Sequence, residues 1–376
     1  MKLVCSQSDL YNALSLSCRC VPSRPTHPIL GNLLLVARDG YLHVTGFDLT
    51  LGVRTKLIAS VLKEGEIAVP AKLLLDICGK LPTGDVVLSL LDDGSEERSL
   101  SIKTDTTGGN FTIRCVSASE YVEFPIIDSD EIVVSAGTLQ EGISKTIFSA
   151  SGDETKQVLT GVRIQFAIDK IEFASTDGHR LSVVTLNSDR DVPEMGLTIP
   201  SRSLAELQRL LAKQEAVMPV TITYADGMVM FTGNDYTLVS RTLEGNYPAY
   251  NQLIPRQFER MITVERKQLL ACLDRISTVA DTKNHVVKVE VNQVEQEITL
   301  SCEAPDVGSG YESISAQVTG ENITLAFNVK YLTEGIKQLA STEIMINLNQ
   351  PLTPAILTPL GGTKMIYLAM PVKIRD

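Results

Sequence analysis

The sequence has no tryptophan, and phenylalanine and tyrosine bring its aromatic content to only 5% of 376 residues. Any core must therefore rest on Leu, Ile and Val, and a hydrophobic share of 44% supplies enough of them for two or three domains. No apolar run approaches the roughly 18 residues that cross a bilayer. The N-terminus turns polar at Ser6 to Asp9, after too few apolar residues for a secretory leader. The seven cysteines (Cys5, Cys18, Cys20, Cys78, Cys115, Cys272, Cys302) are odd in number and contain no Cys-x-x-Cys pair. Neither a disulfide framework nor a zinc site is expected, which favours the reducing cytoplasm. Only four histidines occur (His27, His43, His179, His285), none at metal-ligand spacing from another His or a Cys. No metal or other cofactor is expected.

Positive charge is also in short supply: 34 Lys and Arg stand against 45 Asp and Glu, a net charge of −11. Such a balance repels a phosphate backbone at long range, so any DNA contact must come from a local basic surface. The phosphate-loop pattern G-x-x-x-x-G-K-[ST], a G-x-G-x-x-G turn, H-E-x-x-H and the EF-hand loop are all missing. The best catalytic candidate is Asp177-Gly178-His179-Arg180, where a carboxylate and an imidazole share a turn and could exchange protons. Asp-Gly is foremost a turn signal, and a lone histidine more often packs or hydrogen-bonds than catalyses. A cytosolic hydrolase using Asp177 and His179 is therefore the weaker reading, and a cysteine hydrolase weaker still.

What the sequence does contain is a threefold repeat. Short apolar strands at Lys2-Leu3-Val4, Ile132-Val133-Val134 and Met261-Ile262-Thr263-Val264 each lead into an amphipathic helix. Those helices carry Leu10, Ala13 and Leu14; Leu139, Gly142 and Ile143; and Leu269, Cys272 and Leu273. A second strand-to-helix unit follows at Ile67 to Lys72, Leu197 to Arg202 and Leu325 to Lys330. In that register an acid (Asp76, Glu206, Glu334) and two leucine positions (Leu74, Leu204, Leu332 and Leu81, Leu211, Leu339) coincide. Both landmarks repeat at about 129 residues, and alternating β-branched stretches lie between them. The expectation is an α+β chain of three homologous domains (1–128, 129–257 and 258–376), each with two helices packed on antiparallel sheets.

Each second helix also carries a basic residue that returns seven or eight positions later: Lys72 and Lys80, Arg202 and Arg209, Lys330 and Lys337. Two turns bring a side chain back to the same side of a helix. Taken singly, Lys72–Asp76, Arg202–Glu206 and Lys330–Glu334 read as ordinary i,i+4 surface pairs. Repeated in an acidic chain, basic helix edges would line one surface of an arc, and arcs of identical units close by symmetry. A closed ring with a basic bore would be a sleeve for DNA; a repeat scaffold that binds only proteins is a further alternative.

Several segments resemble the bacterial DNA polymerase III beta subunit, the beta sliding clamp family. They are Arg24-Pro25-Thr26-His27-Pro28-Ile29-Leu30-Gly31-Asn32, Ser175 to Leu181, Glu244-Gly245-Asn246-Tyr247-Pro248-Ala249-Tyr250 with Leu253-Ile254-Pro255, Phe327-Asn328-Val329, and Met370-Pro371. They occur in family order and span nearly the whole chain. The resemblance implies the DNA-clamp fold, a head-to-tail, ring-shaped homodimer with helices facing the bore, and no catalytic activity. It implies loading by a separate ATP-driven clamp loader. The partners it implies are encircled double-stranded DNA, the DNA polymerase III catalytic subunit and other proteins bearing a clamp-binding motif, with no membrane. Arg24 matches a DNA-contacting position. Leu159, Thr176, Gly178, His179, Arg180, Leu181, Pro248, Leu253, Leu368, Met370 and Pro371 would form a groove for partner peptides. Phe111 and Ile113 of one protomer would meet Ile276 and Val279 of the next. Gln252 stands where relatives carry a basic residue, and the tail Val372-Lys373-Ile374-Arg375-Asp376 ends in charges, so peptide preference departs from the family pattern there.

Overall fold

The structure is a computed structural model that describes residues 1–91, 98–104, 108–188, 194–279, 285–304 and 308–373. The tail residues Ile374, Arg375 and Asp376 lie outside the described residues. Six α-helices are present among those described, two per repeat: α1 (Gln7–Cys18), α2 (Ala71–Cys78), α3 (Ala136–Ser144), α4 (Ser201–Leu211), α5 (Arg266–Ser277) and α6 (Val329–Gln338). The leucines expected on the first helices are buried, from Leu10 and Leu14 in α1 to Leu269 and Leu273 in α5. Full burial of one such leucine contributes roughly 1.5–3 kcal/mol. Side-chain caps start the last two helices: Glu265 accepts from the backbone N–H groups of Lys267 and Gln268, and Asn328 accepts from those of Lys330 and Tyr331. No helix among the described residues is long and apolar enough to cross a membrane.

By its contacts the chain divides into two compact units, Met1–Gly137 with Arg202–Thr242, and Thr138–Ser201 with Leu243–Asp376. The repeat boundaries at 128 and 257 do not coincide with these cuts, because the largest sheet of each unit joins strands of two repeats.

In the first unit a five-stranded sheet runs in the order Ser60–Lys63, Lys2–Ser6, Asp85–Leu91, Arg98–Thr104, Asn110–Cys115. The eight-stranded sheet runs Ile132–Ser135, Pro219–Ala225, Met228–Thr232, Tyr236–Arg241, Leu51–Ile58, Tyr41–Phe47, Asn32–Arg38, Gly65–Pro70. Its seam between repeats is the antiparallel pair in which Tyr236 faces Thr55 and Ser240 faces Leu51. Leu3, Leu10, Leu33, Leu74 and Leu88 form one core under α1 and α2.

In the second unit a nine-stranded sheet runs Met195–Pro200, Gly161–Ala167, Lys170–Thr176, Arg180–Asn187, Lys364–Ala369, Ala355–Pro359, Glu343–Leu348, Arg260–Glu265, Gln317–Thr319. Its seam sets Arg180 opposite Ala369 and Leu181 opposite Leu368. A four-stranded sheet runs Gly308–Ser315, Glu297–Ala304, Val286–Asn292, Ile323–Asn328. The core of this unit gathers Leu269, Leu273, Leu332, Ile336 and Tyr367. Gly335 lets α6 close on Tyr367, since a Cβ there would fall 2.1 Å from the ring.

Candidate nucleic-acid and partner-peptide surfaces

The Thr176–Leu181 turn lies in the second unit at the seam of the nine-stranded sheet. One oxygen of Asp177 accepts the backbone N–H groups of His179 (2.8 Å) and Arg180 (3.0 Å), and Gly178 takes the left-handed conformation (φ +94°) that the turn requires. The Thr176 hydroxyl donates to the Arg180 carbonyl at 2.6 Å and accepts the Gly178 N–H. The backbone N–H of Thr176 donates to the Tyr247 hydroxyl at 3.1 Å. The C-terminal segment is tied to the turn by the Met370 N–H, which donates to the His179 carbonyl at 2.9 Å.

Arg180 is the pivot. Its buried guanidinium donates to Asp177 at 3.0 Å, to the Phe148 carbonyl at 2.7 Å and to Glu334 on α6. It also lies 4.4 Å from the centre of the Tyr331 ring. Burial alone would lower the Arg180 pKa, but the hydrogen bond to Glu334 and the nearby charges of Glu334 and Asp177 raise it above its usual value, so the side chain stays charged.

Leu181 and Leu368 sit in an apolar cluster with Ala174, Val183, Tyr250 and Ile356, against which Tyr247, Ile254, Phe258 and Ile366 pack. Together, the turn, the seam and this cluster unite Thr176, Gly178, His179, Arg180, Leu181, Leu368 and Met370. Leu159, Pro248, Leu253 and Pro371 are not joined to them in this way: Leu159 and Pro371 are half-buried, Pro248 is exposed, and Leu253 is 54% exposed. Leu253 and Met370 are apolar side chains left open to solvent beside this packed cluster. Tyr331, Phe148 and the Glu334 link to Arg180 have no signal in the sequence, because 154 residues separate the ion-paired residues and no local pattern joins them.

The same geometry removes the acid–base pair that Asp177 and His179 could have formed. The carboxylate serves backbone N–H groups and Arg180, while the exposed imidazole stacks on Tyr331 at 6.4 Å. Among the described residues no group of three or more His, Cys, Asp or Glu is placed to hold a metal ion.

All seven basic candidates (Arg24, Lys72, Lys80, Arg202, Arg209, Lys330 and Lys337) are exposed, but Lys80 lies beyond the end of α2 at Cys78, so only α4 and α6 carry both members of the expected basic pair. Of the three expected i,i+4 pairs only Lys330–Glu334 forms, at 4.0 Å. Arg202 instead reaches Asp48 at 2.9 Å, and Glu206 pairs with Arg209 (3.3 Å) and Arg19. Lys72, Lys80, Lys337 and Arg24 have no ion-pair partner among the described residues. For Arg202 a tertiary carboxylate outcompetes the one a turn away, because a helical i,i+4 pair is worth only a few tenths of a kcal/mol, ~0.3–0.5.

The four interface candidates are unlike one another. Ile113 and Ile276 are buried in their own cores and Val279 packs partly against one, whereas Phe111 is 43% exposed.

Two-helix units on antiparallel sheets, repeated three times along the sequence, define an α+β protein of three homologous repeats. Residues 1–125, 133–249 and 251–373 match the N-terminal, central and C-terminal domains of the DNA polymerase III beta subunit. The chain belongs to that family. Over their full lengths it is 45% identical to a beta sliding clamp of Synechocystis sp. and 44% to one of Synechococcus elongatus. The crystal structure of the Bacillus subtilis DNA polymerase sliding clamp superposes with a TM-score of 0.91 at 28% identity, covering all of both chains.

Proposed function

We propose that the chain is a DNA sliding clamp, a non-catalytic processivity factor that encircles duplex DNA as a homodimeric ring. It tethers the DNA polymerase III catalytic subunit and other partners through a peptide groove, after loading by an ATP-driven clamp loader in the bacterial cytoplasm. The observation that carries this reading is the match of all three family domains, in order, along one chain. The hydrolase reading has no support, since Asp177 is committed to the turn and to Arg180.

Sliding needs attraction to phosphates without readout of bases. Arg24, Lys72, Lys80, Arg202, Arg209, Lys330 and Lys337 suit that task, and the four that lack a carboxylate partner are the most available for it. The groove is the surface around the Thr176–Leu181 turn, with Leu159, Pro248, Leu253, Met370 and Pro371 as its outer apolar contacts and Leu181 and Leu368 as its floor.

Ring closure follows the rule of the two seams. In each, the last strand of one repeat (Tyr236–Arg241 or Lys364–Ala369) pairs with the fourth strand of the preceding repeat (Leu51–Ile58 or Arg180–Asn187). The equivalent strands left over are Asn110–Cys115 and Gly308–Ser315, which are sheet edges. Unpaired edges invite a partner strand. Pairing Asn110–Cys115 of one protomer with Gly308–Ser315 of the next would put Phe111, on the same face as Ile113, beside the face on which Gly310 meets Ile276 and Val279, while Tyr311 points to the opposite face.

Primer extension by a DNA polymerase III catalytic subunit, with a matching loader and ATP, tests the function. Addition of the chain lengthens the products; unchanged product length contradicts the proposal.

A further inference from the structure

A second cleft lies in the first unit, on the face of the eight-stranded sheet opposite its core. Strand register brings four basic side chains to that face: His43 pairs across with Lys56, Thr45 with Arg54, and Arg38 with Tyr41. The segment 118–126 crosses the face and is pinned by the Tyr121 hydroxyl, which lies 3.3 Å from the carbonyls of Asn32 and Thr45. Its Phe124 ring stacks against the Arg54 guanidinium at 4.4 Å. Sheet and segment enclose a cleft of about 640 Å³.

Arg54 is half-buried, yet among the described residues it has no carboxylate partner and its one hydrogen bond runs from Nε to the Thr45 hydroxyl at 3.2 Å. Burial and the neighbouring Arg38 both push its pKa down. A partly desolvated cation without a counter-charge is costly, and it is the kind of group that an anionic ligand relieves. Glu66, Glu123 and Asp235 also line the cleft and oppose a polyanion such as nucleic acid. Ile126, 82% exposed, and Val122 offer apolar contact at the same place. One negative charge with an apolar neighbour fits this lining.

We propose that the cleft docks an extended peptide of a partner protein, whose Asp or Glu side chain pairs with the Arg54 terminal amines while an adjacent apolar residue covers Phe124 and Ile126. This site is separate from the groove at the Thr176–Leu181 turn, and its failure would leave the clamp reading untouched. The test is selection of a phage-displayed peptide library on the full chain, with counter-selection on Arg54→Gln. Peptides bound at the groove survive on that variant too, so they also report that it is folded. The expected products of the differential selection carry an acid beside an apolar residue. As synthetic peptides they bind about tenfold or more weakly to Arg54→Gln and more weakly to the exposed Lys56→Glu, with full affinity for Leu253→Ala. Absence of differential enrichment, enrichment of peptides without an acid, insensitivity to Lys56→Glu, or displacement of the peptide by a short single-stranded oligonucleotide would each overturn the proposal.

Discussion

Glu334 on α6 is bonded to the buried Arg180 and lies 4.0 Å from the exposed Lys330, so one carboxylate serves both the proposed groove and the proposed DNA-facing helix edge. Glu334→Gln removes one of the two carboxylates held by a buried guanidinium and is expected to cost about 1–3 kcal/mol. Arg180→Ala strands Glu334 and Asp177 together and is expected to cost more, about 3–5 kcal/mol. Urea denaturation of the two variants measures both; equal stability of Arg180→Ala and the parent would contradict the assignment of Arg180 as pivot.

Truncating the open apolar side chains of the groove separates binding from folding. Leu253→Ala and Met370→Ala are expected to weaken a fluorescent peptide from the replicative polymerase about tenfold or more while leaving the melting temperature near that of the parent. Fluorescence anisotropy with a parallel thermal melt distinguishes this from general destabilisation.

The basic helix edges are not equivalent. Arg202 is already neutralised by Asp48, whereas Lys72 has no acid partner among the described residues. Lys72→Glu is therefore expected to shorten residence on DNA more than Arg202→Glu. Removing one phosphate-binding cation reduces the slope of log affinity against log salt by about one. Residence times measured across a salt series give the order directly, and a larger effect at Arg202 would reverse it.

The free sheet edges predict the oligomeric state. Phe111→Asp places a charge where the proposed interprotomer strand pair needs an apolar contact, and is expected to weaken the dimer about tenfold or more. Sedimentation at falling protein concentration reads the dissociation, and an unchanged dimer would exclude this edge from the interface.

Burial pushes the Cys5, Cys18 and Cys78 thiols from 9.0 up to about 12, with neighbouring groups adding to the shift. Below pH 9 these thiols are protonated in both folded and unfolded chains. Between about pH 9 and pH 12 the unfolded chain ionises first, so stability falls with rising pH across that window. Replacing the three cysteines with alanine is expected to flatten the decline in denaturation free energy, and an undiminished slope would count against it. At neutral pH the three thiols should resist alkylation until the chain unfolds.

Helices were legible in the sequence because their periodicity is local: Leu10, Leu139 and Leu269 mark equivalent turns, and all three are buried. The seams were not legible. Thr55 and Tyr236 pair across 181 residues, and such register depends on which faces are buried after folding. The ion pairs failed for a related reason, since Asp48 reaches Arg202 only through the tertiary fold. Residues of the Thr176–Leu181 turn were recognisable from their resemblance to a family, whereas local spacing offers Glu334 only Lys330 as a partner. The edge strand bearing Tyr311 had no local signal.

The central claim, topological linkage to DNA, is tested most directly by retention on closed circular against linearised DNA in moderate salt, after loading with a compatible loader and ATP. Retention on the circle with loss from the linear form is the predicted result. Equal retention on both would mean ordinary electrostatic binding and would contradict the account.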